Sequence, residues 1–172
     1  NMCASCAYWA AAQCDKIYVT PTSMTGCIGV YTKFIDDTAM LAEFGIAEHL
    51  VASTDIKGIT EPGQPWTDKV AAMLQHEIDE AFGLFVADVA IGRGEDEATV
   101  RAWAAGAGTP TNFWHGAKSL ELGIADEITD FATLLAGLAG GGVSLDTSRR
   151  TAAGRRNGEN TRAPGKESAM ST

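Results

Sequence analysis

Ser5 stands where a hydroxyl nucleophile could be placed. It lies among small residues, in the run Cys-Ala-Ser-Cys-Ala, and an alanine-rich segment follows directly. Such a segment favours a helix that Ser5 could cap, and the free N–H groups of a first helical turn stabilise an oxyanion. An unassisted serine also needs a base within hydrogen-bond reach. The sequence therefore predicts nucleophilic catalysis by Ser5, with backbone N–H groups near Cys6 holding the oxyanion.

Lys57 stands out among the candidate bases. It follows an expected strand and sits between Ile56 and Gly58, a setting that could bury its amine. Burial disfavours the charged form of an amine, and a neutral amine can accept a proton. From the residues alone the choice of base stays open, because other basic side chains are present, although they suit surface or boundary positions better: His49, His76, His115, Lys16, Lys33, Lys69 and Lys118.

The four cysteines lie within the first 27 residues, at Cys3, Cys6, Cys14 and Cys27. Their apolar surroundings favour buried, reduced thiols. Cys3 and Cys6 have the spacing of a redox or zinc pair, but no second pair stands at ligand spacing, so no metal site is expected. Either thiol is an alternative nucleophile. Ser5 is favoured because Cys3 precedes the helix and Cys6 points about 100° away from Ser5 around it.

The sequence pattern predicts that Ser5 and Lys57 are positioned by short strands that alternate with helices. That alternation predicts an α/β fold with a mostly parallel sheet. The segment 92–94, Gly-Arg-Gly, is expected to end a long helix rather than to bind phosphate, since it lacks the lysine of a phosphate loop. The expected helices are 5–13, 38–44, 67–91, 95–104, 112–122 and 130–138, and the expected strands are 16–20, 27–31 and 46–52, with a loop at 21–26.

Charge divides the 172-residue chain into a body and a tail. Residues 1–140 hold 7 basic and 19 acidic side chains, whereas residues 141–172 hold 6 and 3. An acidic body disfavours nucleic-acid binding. Residues 1–139 are expected to form one domain, and residues 140–172 a flexible basic tail, because the tail has few apolar residues to bury. No apolar run approaches the ~20 residues needed to span a bilayer.

The order of the motifs resembles the signal peptide peptidase A family of serine/lysine proteases. Ser5 falls on the family's nucleophile, and Lys57 on its base, about fifty residues later. Cys27 replaces a serine that orients the lysine amine in the family, and Cys6 and Ala7 replace two glycines. The resemblance covers roughly residues 1–138 and is carried by these segments: Asn1-Met-Cys-Ala-Ser5-Cys-Ala-Tyr-Trp9, Asp15-Lys-Ile17, Thr25-Gly-Cys-Ile-Gly-Val30, Lys57-Gly-Ile59, Gly92-Arg-Gly94, Gly116-Ala-Lys118 and Gly123-Ile-Ala-Asp-Glu127.

The resemblance implies a serine endopeptidase that works through an acyl-enzyme without a metal or organic cofactor. It implies the C-terminal portion of a crotonase- or caseinolytic-protease-like fold, a parallel sheet flanked by helices. The implied partners are a peptide or protein substrate and further copies of the chain. Family members carry strands and helices upstream of the nucleophile, so a fragment truncated at its N-terminus is expected.

Several functional branches stay open. The basic tail favours the phage capsid-maturation proteases similar to this family, in which a scaffold segment follows the protease; scaffold or capsid proteins would then be substrates in the host cytoplasm. A bacterial peptidase that degrades signal peptides is the alternative, and its missing part could associate with a membrane. Cys27 also leaves open a catalytically impaired capsid-assembly or scaffold protein. An acyl-CoA enzyme on the same fold is a further alternative.

Overall fold

A computed structural model describes residues 1–141 of the chain. They form two compact units, one made of Asn1–Ile28 and the residues from Phe85 onward, the other of Gly29–Leu84. The elements, in chain order, are β1 (Met2–Ala4), α1 (Cys6–Ala11), β2 (Tyr18–Val19), β3 (Met24–Gly26), α2 (Thr38–Glu43), α3 (Asp68–Arg93), α4 (Glu97–Ala104), β4 (Phe113–His115), α5 (Gly116–Glu121), β5 (Glu127–Ile128) and α6 (Phe131–Ala139).

The first unit contains two small sheets. In one, the strand order is β1-β3-β4, with β1 parallel and β4 antiparallel to β3; in the other, β2 and β5 pair in parallel. In the first sheet Ala4 lies opposite Gly26, and Thr25 opposite Trp114. The expected α/β class is confirmed, but as two small sheets flanked by helices, one mixed and one parallel, rather than as one mostly parallel sheet.

Helix α1 packs against the end of α3. The Trp9 ring stacks on Phe85 with centroids 4.5 Å apart, and its Nε1 donates to Asp88 at 2.9 Å. Gly92 lies so close to α1 that an added Cβ would stand 2.1 Å from the Ala12 carbonyl oxygen. The core beneath these helices is aromatic and aliphatic: Tyr8, Ile28, Val86, Val89, Val100, Trp103, Trp114 and Ile124 are buried.

In the second unit, carboxylates before helix α2 bind backbone N–H groups of the loop before helix α3. The Asp37 carboxylate accepts the Gly63 N–H at 2.9 Å, and the Asp36 carboxylate accepts the Trp66 N–H at 2.9 Å. Helix α2 ends before Gly45, as the sequence predicts. The strand expected over residues 46–52 does not form, and these residues are exposed. An alternating pattern without a partner strand does not stabilise an extended segment.

One further expectation about a strand is wrong, and one about a helix is wrong in part. The segment 27–31 is not a strand; β3 forms three residues earlier, inside the expected loop, because Met24–Gly26 pairs with β1. The helix expected over 112–122 begins only at Gly116, after β4 has paired with β3. Helix α3, helix α4 and helix α6 lie where the sequence predicts them to within a few residues.

Two remaining expectations were a flexible tail at the end of the chain and the lack of a segment long enough to span a bilayer. The predicted tail falls almost entirely on residues 142–172, which lie outside the described residues. Across residues 1–141, no helix combines the length and the apolar character that a bilayer crossing requires.

Candidate active site

Ser5 occupies a sharp turn between a strand and a helix. Strand β1 ends at Ala4, α1 begins at Cys6, and Ser5 between them has φ 55° and ψ −129°. A non-glycine residue with positive φ is strained, by about 1–3 kcal/mol, and such strain concentrates at functional sites. A serine on a strained strand-to-helix turn presents its Oγ above the end of the sheet.

Backbone hydrogen bonds fix this turn on both sides. The Ser5 N–H donates to the Gly26 carbonyl at 2.9 Å, and the Ser5 carbonyl accepts the Trp9 N–H at 3.0 Å. The expected capping bond from the Ser5 hydroxyl is absent, because the backbone of Ser5 lies outside the extended region that capping residues adopt. The half-buried Ser5 hydroxyl is therefore not committed to capping α1.

Cys27 lies beside Ser5 at the end of the neighbouring strand. It follows Gly26 as Ser5 follows Ala4, and those two residues are register partners in parallel strands. Adjacent strands run roughly 4.8 Å apart, so the backbones of Ser5 and Cys27 are neighbours. Cys27 also has a positive φ, 53°, and its N–H donates to the Asn112 carbonyl at 2.5 Å. The structure thus brings Ser5, Cys6 and Cys27 together.

Buried hydroxyl groups anchor the strand that carries Cys27. Thr25 Oγ1 lies 2.6 Å from Ser119 Oγ, and Ser119 Oγ lies 2.9 Å from the Trp114 carbonyl oxygen. Because Ser119 has one proton, donating it to Trp114 leaves Thr25 as the donor to Ser119. Strand β3 is thereby tied to the first turn of α5 as well as to β1.

Lys57 belongs to the second unit. It lies in a turn-rich segment, the strand expected before it is missing, and its side chain is exposed. The burial expected from its apolar neighbours is therefore wrong. Its pairing with Ser5 stays a prediction.

The cysteine thiols differ in exposure. All four are free, Cys3 and Cys27 are half-buried, and Cys6 and Cys14 are exposed, so the expectation of four buried thiols is wrong for two of them. Burial raises the pKa of the Cys3 thiol, and electrostatic repulsion from the Cys14 sulfur adds to that rise. A thiol with a raised pKa forms less thiolate and is a weaker nucleophile, which favours Ser5 over Cys3.

A groove of about 350 Å³ opens elsewhere on the first unit. Its walls come from β1, β2, β3 and the start of α6, and include Cys3, Cys14 and Phe131. Ser5, Cys6, Cys27 and Lys57 do not line it, whereas Cys3 and Lys16, which the sequence offered as an alternative nucleophile and an alternative base, do. Among the described residues no group of three or more His, Cys, Asp or Glu side chains is placed to hold a metal ion.

A buried ion pair behind α1 was missed by the sequence analysis. Arg93 Nη1 and Nη2 donate to the Asp126 carboxylate at 2.8 and 3.0 Å. Arg93 Nε and Nη2 also donate to the Gly123 carbonyl at 3.1 and 2.9 Å. The sequence did contain a signal: both residues lie in segments that carry the family resemblance, although the first was interpreted only as a helix end.

Comparison with known proteins assigns the class. Residues 1–142 match the model of peptidase family S49, and the chain belongs to this family. A Synechocystis protein named as a protease (slr0021) is 29% identical over 153 residues, which cover 86% of this chain and 53% of that protein. An Enterococcus faecium protein named as signal peptide peptidase SppA is 28% identical over 128 residues, covering 74% and 36%.

Protease 4 of Haemophilus influenzae is 28% identical over 130 residues, covering 76% of this chain and 20% of that protein. The chain thus spans about half or less of the length of these curated relatives.

Proposed function

We propose that this chain carries the serine/lysine centre of an endopeptidase, with Ser5 as nucleophile and Lys57 as general base. The observation that carries the proposal is the strained backbone of Ser5 at the turn from β1 to α1. Membership of peptidase family S49 supports it, because the one serine with a positive φ among residues 1–141 then falls in a peptidase framework. The relatives named as proteases support peptide-bond hydrolysis as the reaction.

The proposed reaction has two halves. Ser5 Oγ attacks the carbonyl carbon of a peptide bond while its proton passes to the amine nitrogen of Lys57. The tetrahedral oxyanion accepts hydrogen bonds from backbone N–H groups near Cys6. Lys57 then gives the proton to the leaving amine, which departs and leaves an ester on Ser5. A water molecule, deprotonated by the same amine, hydrolyses the ester. No step needs a metal or organic cofactor.

Cys27 is proposed to contact the lysine amine in this scheme. Its position beside Ser5, at the end of the parallel neighbour strand, supports that role. A thiol is a weaker hydrogen-bond partner than the serine hydroxyl that the family has at this place. A slower reaction than that of a protein with serine there is therefore expected.

The resemblance also leads us to propose a fold class and an assembly into oligomers. The parallel pairing of β1 with β3, with α1 packed behind them, suits the crotonase- or caseinolytic-protease-like class. Assembly into homo-oligomers is part of this proposal and would be tested by size-exclusion chromatography with light scattering.

The proposed substrates are peptides of the signal-peptide class. The name of the Enterococcus faecium relative, signal peptide peptidase, supports this branch. The capsid-maturation branch rests on the basic composition of residues 141–172, and it stays a prediction because residues 142–172 lie outside the described part.

The test is covalent labelling of the full-length protein with a fluorophosphonate, read by intact mass. We expect one adduct on the parent, none on Ser5→Ala, and strongly slowed labelling on Lys57→Ala. Lys33→Ala is the matched control, because Lys33 is also an exposed lysine of the second unit; it should label as the parent does. A folded parent without an adduct would favour the catalytically impaired scaffold protein.

A further inference from the structure

We propose that the Arg93–Asp126 ion pair, together with Tyr8, positions the strained Ser5 turn for reaction. This inference rests on the proposed function of Ser5. It makes Arg93, Asp126 and Tyr8 positioning residues, which contact no substrate and act through α1.

The ion pair is buried, and both carboxylate oxygens of Asp126 accept a hydrogen bond from Arg93. The Arg93 side chain is 1% exposed and that of Asp126 is 13% exposed. Their two parallel N–H···O contacts, at 2.8 and 3.0 Å, form the planar bidentate arrangement that makes arginine–carboxylate pairs directional. The pair therefore holds the end of α3 and the start of β5 in a fixed relation.

One arm of this network reaches the beginning of α1. Tyr8 is fully buried, and its hydroxyl donates to the Ile124 carbonyl at 3.0 Å. Gly123, with φ 78°, ends α5 and turns the chain so that the Gly123 carbonyl faces Arg93 and the Ile124 carbonyl faces Tyr8. Because Tyr8 lies three residues after Ser5, it fixes the first turn of the helix that Ser5 precedes.

Tyr8 keeps its donor proton across the working pH range. Burial raises the pKa of Tyr8 well above its usual value, and the charge of Arg93 only partly offsets this rise. The hydroxyl is thus a permanent donor, and the Tyr8 contact with Ile124 does not vary with pH near neutrality.

A second arm reaches the chain after α1. The Ile17 N–H donates to Asp126 Oδ2 at 2.7 Å, and the Asp126 N–H donates to the Ile17 carbonyl at 2.9 Å. Between the two arms, the Ala12 carbonyl lies against Gly92, the residue before Arg93. The segment from Ser5 to Ile17 is therefore held near its start, middle and end by residues flanking the ion pair.

Such support is what a strained nucleophile requires. A positive φ at serine persists only where the surroundings over-determine it. If α1 can shift, Ser5 can relax toward negative φ, and its Oγ then moves away from the attacking position. A misplacement of about 1 Å lowers a reaction rate by about 100-fold. We expect the loss in the chemical step and not in substrate binding.

The test uses variants that remove the network without leaving a buried charge unpaired. Removing only Arg93 or only Asp126 leaves such a charge and can unfold a protein. The double variant Arg93→Met/Asp126→Asn removes both charges, and its new amide can still accept the Ile17 N–H. Tyr8→Phe removes one hydroxyl at nearly constant volume.

Matched controls make the same chemical changes elsewhere. The exposed pair of Arg101 and Glu97, 3.4 Å apart, gives the control Arg101→Met/Glu97→Gln. Tyr18, half-buried on β2, gives the control Tyr18→Phe. Both controls should label at the parental rate.

Labelling is measured over a range of fluorophosphonate concentrations, so that the maximal rate and the half-saturating concentration are obtained separately. For the double variant and Tyr8→Phe we expect the maximal rate to fall about 10- to 100-fold, with the half-saturating concentration and the circular dichroism spectrum unchanged. Folded variants that react at the parental maximal rate would overturn the positioning role.

A second readout separates this inference from the proposed function. Hydrogen exchange of residues 1–10 reports the bond between the Ser5 N–H and the Gly26 carbonyl, whether or not Ser5 reacts. Faster exchange there in the double variant, with unchanged exchange in α4, would support positioning even if the parent carried no adduct. Unchanged exchange in residues 1–10 would refute positioning even if Ser5 proved to be the nucleophile.

Discussion

Replacing Ser5 by glycine should stabilise the protein relative to replacing it by alanine. Both changes remove the hydroxyl, but only glycine adopts φ 55° with ψ −129° without steric cost. The strain released is about 1–3 kcal/mol. Against it stands the greater freedom of glycine in the unfolded chain, about 0.4–1 kcal/mol.

The expected difference in the free energy of unfolding is therefore about 1 kcal/mol in favour of Ser5→Gly. For a chain of 172 residues this corresponds to a rise in Tm of about 2–4 °C. Urea denaturation followed by circular dichroism measures the free energy directly, and both variants should fail to label with the fluorophosphonate.

Two control substitutions measure how glycine changes stability at a position with a positive φ and at one without. Ala107 also has a positive φ, 47°, and lies away from the sheet end that carries Ser5, so Ala107→Gly should stabilise the protein. Ala4 is the strand residue before Ser5 and has no positive φ, so Ala4→Gly should destabilise it by about 0.5–1 kcal/mol. If Ser5→Gly proved less stable than Ser5→Ala, the strain at Ser5 would be refuted.

Three further predictions concern the surroundings of the site. Cys27→Ser should speed fluorophosphonate labelling roughly 3- to 10-fold, the worth of one improved hydrogen bond; unchanged labelling would contradict the proposed contact with the lysine. Gly92→Ala should destabilise the protein by roughly 1–3 kcal/mol in urea denaturation, because its Cβ would collide with the Ala12 carbonyl. The hydrogen bond from the Thr99 N–H holds the pKa of Asp96 below its usual value, so this cap stabilises α4 above about pH 4 and is lost as the pH falls through the lowered pKa. The acid-induced fall in Tm should therefore be smaller in Asp96→Ala; an identical pH profile for both proteins would show that this cap does not contribute.

Local patterns predicted the helices well. The apolar spacing of α3, the glycine after α2 and the acidic residues expected in the first turn of α4 are signals contained within a few residues. Helical hydrogen bonds join residues four apart, so the information that determines a helix is largely local.

The strands were predicted less well because their partners are distant in sequence. The apolar run 27–31 has strand composition, yet Met24–Gly26 forms β3 because it alone meets both β1 and β4. Similarly, Phe113–His115 is drawn into a strand from an expected helix by pairing with β3. Strand preference depends on neighbours that a linear pattern does not contain.

In the candidate site, too, features that depend on local sequence were predicted and features that depend on distant contacts were not. Ser5 was named as a candidate from its setting among small residues, and Cys27 from the order of motifs that resembles a family; their roles stay predictions. The strain at Ser5 and the pairing of Arg93 with Asp126 were not found, since both depend on contacts between segments far apart. Nothing in the residues next to Arg93 names Asp126 as its partner.

The pairing of β1 with β3 restricts how the chain between Ser5 and Cys27 can change in length. Side chains alternate between the faces of a strand, so an insertion that slipped β3 by one residue would turn Thr25 from the core and move Cys27 off its place beside the serine. The turn before β3 is tightly constrained, since Ser23 and Thr20 are joined by three hydrogen bonds of 2.8, 2.9 and 3.1 Å. Natural relatives are therefore expected to vary in length within exposed stretches such as residues 46–62, and to keep the spacing of this serine and cysteine constant.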